Sequence, residues 1–173
     1  MFYNADLIEI GRSNELVTGY IDDTSFLVEG SSTESTIRKI EVFHAKADDW
    51  ARKHASIFAP AKYELIHFVN KGDKKRIKDC DRAADLGPKE GVERVINPTM
   101  LARYLGVIFD HELNGQEHLQ HIGQKVEKLI QALGAILGSI WGATRQDILI
   151  LVKSIVMPQM LFACLIWWII NPT

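Results

Sequence analysis

Two short runs of β-branched, aromatic and aliphatic residues, 16–21 and 24–28, are separated by only Asp22 and Asp23. A chain can reverse over so few residues only through a tight turn, so the spacing predicts an antiparallel hairpin with both carboxylates at its tip. Ser31 with Glu34 then reads as a capping box. Behind it, Ile37, Ile40, Phe43, Ala47, Trp50 and Ala51 recur at steps that predict a buried-face helix over 33–54, closed off by Pro60. Residues 63–69 return to strand character through Leu65, Ile66 and Phe68, and residues 104–109 read as a further strand. The stretch between, 70–99, is loop-like, rich in charge and carrying Gly87, Pro88, Gly91 and Pro98. Strands, helix and strands in this order predict an α+β arrangement in which a helix packs on an antiparallel sheet.

After Asp110 the pattern becomes helical. Leu119, Ile122, Val126, Leu129, Leu133, Ile136 and Ile140 alternate steps of three and four, which places them along one stripe. Thr144 with Asp147 resembles a second capping box, and Ile148, Leu151, Val152 and Ile155 extend a helix until Pro158 interrupts it. A third apolar helix is expected from there toward Ile170. The expected boundary lies near Asp110, giving regions 1–110 and 111–173. Residues 148–170 carry Lys153 as their only formal charge, a length and hydropathy compatible with a membrane span. Pro158 and Gln159 divide that stretch, and the amphipathic helix upstream can cover it, so burial in a helical bundle is the expectation and membrane insertion the alternative.

Composition narrows the class. The chain has 173 residues, 47% of them apolar and 24% charged, which excludes a disordered tail, a collagen-like rod and a polybasic arm. Charge is uneven, with 6 Lys+Arg against 10 Asp+Glu in residues 1–60, 10 against 8 in 61–110, and 4 against 4 in 111–173. The one basic cluster, Lys71, Lys74, Lys75, Arg76 and Lys78, reads either as a solvated loop or as a phosphate contact. Cys80 and Cys164 stand too far apart for a C-x-x-C, and two cysteines make no disulfide framework, so a reducing compartment is expected. Asp6, Glu9, Arg12 and Glu15 break up the amino-terminal stretch, which argues against a signal peptide. His118 and His121, three apart on a helix, could share a metal, yet no third ligand is near in sequence and helix-surface histidines are the simpler reading. Trp167 and Trp168 fit packing in a core or interface. Motifs for nucleotide hydrolysis, dinucleotide binding and zinc proteolysis are absent from the sequence.

Adjacent carboxylates at a hairpin tip repel, and a divalent cation relieves that repulsion. Asp22 and Asp23 therefore read either as a polar turn or as metal ligands. In context, YIDDTSFLVEG (residues 20–30) resembles the Y-x-D-D hairpin of reverse transcriptases. The resemblance extends along the chain. The segments around Asp49, Trp50, Ala51 and Arg52, and FAPAKYELIHF (58–68) with Lys62, are similar to the following palm segment of non-LTR (LINE-like) retrotransposon reverse transcriptases, fungal ones in particular. Tyr104, Leu105, Gly106 and Val107 with Asp110 resemble the family's Y-L-G strand of the primer grip, and the region from Glu117 past Trp141 and Pro158 to Trp167 resembles the thumb. FYNADLIE near the start is similar to the residues following the template-binding motif.

The resemblance implies a partial polymerase palm at 1–110 and a helical thumb-like region at 111–173. It implies RNA-directed DNA synthesis with Mg²⁺ or Mn²⁺, a pair of cations about 3.5 to 4 Å apart serving attack and departure. Neighbours on a strand face opposite ways, so the two are not equivalent ligands; by its place in the motif Asp22 would be the direct metal ligand and Asp23 a secondary or structural acid. Lys62 would lie near the pyrophosphate, against the alternative of an exposed strand lysine. Tyr20, Tyr104, Leu105 and Gly106 would contact substrate. The family's other metal aspartate lies upstream of the hairpin, and neither Asp6, Glu9 nor Glu15 matches it, so a truncated and, alone, inactive piece is expected. Its partners would be an RNA template, a DNA primer and deoxynucleotides, in nucleus or cytoplasm, with self-association through an exposed sheet edge. The alternative is a noncatalytic helical interaction or membrane-associated protein, with the hairpin as a relic.

Overall fold

A computed structural model of the chain describes residues 5–9, 11, 15–69, 80–88, 93–136 and 144–166. The fold is mixed α+β and divides into two compact units, Met1–Met100 and Leu101–Thr173. The first holds α1 (Ala5–Ile8), β1 (Glu15–Tyr20), β2 (Asp23–Val28), α2 (Thr33–Lys53), a 3-10 turn (Pro60–Lys62), β3 (Ala84–Asp85) and β4 (Val95–Ile96). The second holds β5 (Leu101–Tyr104), β6 (Val107–Asp110), α3 (Gln116–Ile136), α4 (Arg145–Leu151) and α5 (Met157–Met160).

The expected hairpin forms, with its turn one residue earlier than the sequence suggested. Tyr20 pairs with Asp23, so Ile21 and Asp22 make the turn and Asp23 opens β2. This register sets Val17 opposite Phe26 and Thr18 opposite Ser25, whose hydroxyls lie 2.6 Å apart. A turn at Asp22 and Asp23 would instead set Phe26 against Gly19, which has no side chain to meet it. Phe26 carries the ribbon onto α2, its ring 5.8 Å from that of the buried Phe43.

α2 begins one residue later than its expected cap. Ser32 is the N-cap, its hydroxyl accepting the Ser35 N–H at 3.2 Å, while Glu34 pairs with Arg38 one turn on. The helix also ends before Pro60. The Ser56 N–H reaches back to the Ala51 carbonyl at 2.9 Å while Ala55 takes a φ of 51°. This is a Schellman closure with alanine where glycine is usual. One face of α2 buries Ala47, Trp50 and Ala51 with Leu7 of α1, and Phe26 and Phe58 pack against them. Nearer its start, Ile37 meets Leu65 and Ala84. Each fully buried large side chain here contributes about 1.5 to 3 kcal/mol.

Residues 63–69 do not form the expected strand. Leu65 makes one parallel bridge to Pro98, which has no N–H with which to extend a ladder. The Leu65 carbonyl is taken by the Thr99 N–H at 2.8 Å. β3 and β4 pair inside the stretch expected to be loop. Among the described residues the strands form three separate antiparallel pairs, not one sheet beneath a helix.

In the second unit the expected strand 104–109 is bent into a hairpin. Tyr104 pairs with Val107 across Leu105 and Gly106, whose φ angles are 48° and 84°. Two successive positive values are the pattern of a type I′ turn. Gly106 accepts that conformation freely, and the apolar run around it disguised the turn. On α3, Ile122 and Val126 are buried against Val156, with Leu129 and Leu133 alongside, as the stripe predicted. The Thr144 and Asp147 capping box also forms. Pro158 does not stop the helix that follows: a π-turn over Val152–Val156, in which the Met157 N–H bonds to the Val152 carbonyl, joins α4 to α5. The helix ends instead in a turn at 161–163, with Ala163 at a φ of 55°. No helix among the described residues is long and apolar enough to cross a membrane. The basic cluster at 71–78, Ile140, Trp141, Trp167, Trp168 and Ile170 lie outside the described residues.

Replacing Ala55 by glycine is expected to raise the stability of the first unit by about 0.5 to 1 kcal/mol, because the left-handed position then carries no Cβ penalty. Urea denaturation would register this as a higher midpoint with an unchanged slope, and an equal or lower midpoint would contradict the assigned closure.

Candidate functional site

The β1–β2 ribbon has two unlike faces. Val17 and Phe26 share the face turned to α2, whereas Leu16, Tyr20, Asp23 and Leu27 share the other and are exposed. Asp23 therefore stands beside Tyr20 on the open face, and Asp22 projects from the turn itself. Both carboxylates are exposed. Ile21, 79% exposed, holds a φ of 57°. A positive φ at the first turn position but not at Asp22, the second, is the φ pattern of a type II′ turn. A β-branched residue in that region carries strain of about 1 to 3 kcal/mol, with no compensating burial of its side chain.

Carboxylate oxygens suit Mg²⁺ or Mn²⁺ in kind. In number the set is short: no group of three His, Cys, Asp or Glu side chains among the described residues could hold a metal ion. Asp22 and Asp23 thus fit as part of a site that needs a further carboxylate. Lys62 is exposed at the end of the 3-10 turn, not on a strand, and among the described residues no ion pair joins it to either aspartate. Tyr104, Leu105 and Gly106 come together at the β5–β6 turn of the second unit, where a Cβ on Gly106 would stand 3.2 Å from the Phe162 ring. A groove of about 620 Å³ runs beside the first half of α2, lined by Glu34, Arg38, Lys39, Phe43 and Lys46 among others, and does not include the hairpin tip.

A buried polar chain escaped the sequence reading. His44 Nε2 lies 3.1 Å from the Tyr63 hydroxyl, His44 Nδ1 lies 3.7 Å from Asp48, and Arg94 reaches Asp48 at 2.8 Å while donating to the Leu86 and Gly87 carbonyls. Burial first, and then the Asp48 charge, push the Tyr63 hydroxyl up to about 12 against the opposing pull of Arg94. The phenol therefore stays protonated at neutral pH. The chain of contacts ties Tyr63, Leu86, Gly87 and Arg94 to α2. His44 and Asp48, four apart on the apolar face of a helix, were the available signal.

Two buried groups organise the second unit. Burial alone would raise the Asp110 carboxyl, but the backbone N–H groups of Asn114, Gly115 and Glu112 outweigh it and hold the group below its ordinary value. These bonds span 2.8 to 3.1 Å and fix the loop that starts α3. His118 is not a surface histidine: it is 1% exposed, and its Nδ1 accepts the Ile108 N–H at 3.3 Å. That bond places the proton of the neutral ring on Nε2, which leaves no lone pair there for a metal shared with His121. Burial, followed by the nearby His121, lowers its pKa, against an opposing interaction with the Phe162 backbone.

Both shifts are downward, so the folded unit releases protons that the unfolded chain retains, and stability is lost on acidification. We expect its melting temperature to be flat above pH 6.5, to fall as His118 must be protonated below its ordinary 6.5, and to fall again below 3.8 through Asp110. Asp110→Asn should cost roughly 2 kcal/mol and remove the lower step, whereas an unchanged acid profile in that variant would contradict the assignment. Comparison of the chain with protein-family models, with curated proteins and with solved structures finds no match.

Proposed function

We propose that the chain is part of an RNA-directed DNA polymerase of the non-LTR reverse transcriptase kind, residues 1–110 supplying part of a palm and 111–173 thumb-like helices. The observation that supports this best is the hairpin tip: a two-residue turn that displays Asp22 and Asp23, with Asp23 beside Tyr20 on the open face of the ribbon. Asp22 offers the principal carboxylate and Asp23 the second, and a third comes from another segment in cis or in trans. When bound, a pair of divalent cations would favour the primer alkoxide and offset charge on the triphosphate. In this reading the primer 3′ hydroxyl releases its proton to water as its oxygen bonds to the α-phosphorus of a deoxynucleotide, the bond to pyrophosphate breaks, and Lys62 gives a proton to that leaving group. Tyr20, Tyr104, Leu105 and Gly106 are substrate contacts in this reading, with an RNA template and a DNA primer as partners.

Addition of Mn²⁺ to the isotopically labelled chain is expected to broaden the amide signals of residues 20–24 selectively, and Asp22→Asn to abolish that broadening. The chain alone should not extend an oligo(dT) primer on poly(rA). Extension by the chain alone that Asp22→Ala abolishes would contradict the need for a further carboxylate. Uniform broadening, or broadening that ignores Asp22→Asn, would contradict the metal reading of the tip.

A second reading, a noncatalytic helical interaction protein, is favoured by one observation: the exposed apolar side chains along 148–166.

A further inference from the structure

The buried imidazole of His118 lies where three parts of the second unit meet. Tyr104 pairs with Val107 to close the β5–β6 turn, so the next N–H along β6, that of Ile108, points away from β5. It donates to His118 Nδ1 at 3.3 Å. On another side stands Phe162, its ring 6.4 Å from the imidazole and 3.2 Å from where a Cβ on Gly106 would be. Ile166 lines a small cavity together with Ile108, Asp110 and His118. Residues 161–166 thus rest on both the β5–β6 turn and the imidazole.

A ring nitrogen accepts a hydrogen bond only while it keeps its lone pair. Once both nitrogens carry protons, the Ile108 N–H faces a like donor and the buried ring bears a charge. Its surroundings do not relieve that charge. On α3, Glu117 and Lys125 are exposed, and His121 and Lys125 act on the ring as bases that disfavour its protonation. The hairpin and the loop after it bring Arg103, Tyr104, Asp110, His111 and Glu112, of which Asp110 alone lines the cavity, its oxygens already accepting three backbone N–H groups. Residues 161–166 contribute no ionisable side chain except Cys164.

We propose that His118 is the pin of a proton-operated latch: charging its ring releases residues 161–166 from the β5–β6 turn while β5, β6 and α3 stay folded. Parting β6 from α3 instead would strip Asp110 of its three N–H groups and uncover the buried Val107. Lifting 161–166 disturbs less, because Leu161, Phe162, Leu165 and Ile166 are already 39 to 77% exposed and Val156 remains in the α3 seam before them. Burial and His121 both oppose protonation, so the latch is shut at neutral pH and opens as pH falls below the ordinary 6.5 of the ring. Opening bares the Gly106 side of the turn and one face of Phe162. The latch does not depend on the polymerase reading.

Nuclear Overhauser spectra of the full chain are expected to show a contact between the Phe162 ring and the Gly106 α protons at about pH 7.5 and none at about pH 5, with a midpoint that coincides with the titration of the His118 ring protons. Contacts between Arg103 and Ile108 across the hairpin should persist throughout. His118→Asn, whose side-chain oxygen replaces Nδ1 as acceptor without titrating, should keep the Phe162 contact at the lower pH. Phe162→Ala should move the His118 titration up toward 6.5, because a latch already open lets water reach the ring. This second variant tests the coupling whether or not His118→Asn folds. A Phe162–Gly106 contact that survives the titration of His118, loss of the Arg103–Ile108 contacts at the same pH, a folded His118→Asn that still releases at the lower pH, or a His118 titration unmoved by Phe162→Ala would each overturn the inference.

Discussion

The contact of Phe26 with Phe43 fixes what the first unit can present. It holds the β1–β2 ribbon on α2 by one face, and the pleat then commits the alternate residues to the other. Register follows from the same contact, since Val17 must lie beside Phe26 for that face to be filled. Once register is set, Tyr20 pairs with Asp23 and only Ile21 and Asp22 remain to turn the chain. The positive φ at Ile21 and the exposure of both carboxylates are consequences of packing roughly 10 Å away along the ribbon, at about 3.4 Å per residue.

The second unit relies on polar groups placed where hydrophobic packing alone would not put them. Asp110 gathers three backbone N–H groups. Each is worth about 1.5 to 3 kcal/mol to a charged acceptor, enough to meet the cost of its burial. His118 joins α3 to β6 through one ring nitrogen. These four bonds stitch β6 to the start of α3. By contrast, many apolar side chains of α4 and α5, Ile150 and Met160 among them, are exposed.

Much of this was legible in the chain. The hairpin, α2, the α3 stripe and the Thr144 capping box follow from periodicity and cap chemistry, which are local. The misreadings are also local in origin. Leu65 and its neighbours look like a strand because buried extended chain and ladder strand share one composition, and only Pro98, distant in sequence, decides between them. Leu105 hid a turn because a leucine at positive φ has no signature beyond the glycine beside it. Pro158 suggested a break because the π-turn that accommodates it leaves no mark in residue type. Of the candidate site, Tyr20 pairs with Asp23 while Asp22 alone of the two carboxylates lies in the turn, one residue off the register that the spacing suggested, and Lys62 sits on a separate exposed turn. His44, Asp48, Tyr63 and Arg94 went unread because their link joins α2 to segments remote from it in sequence.

Everything claimed for the tip rests on the pairing of Tyr20 with Asp23. Nuclear Overhauser contacts across β1 and β2, with backbone couplings for Ile21, measure it directly. The account predicts a cross-strand contact between Tyr20 and Asp23 and a positive φ at Ile21. A contact between Ile21 and Thr24, with Asp22 and Asp23 forming the turn and Ile21 at negative φ, would contradict it.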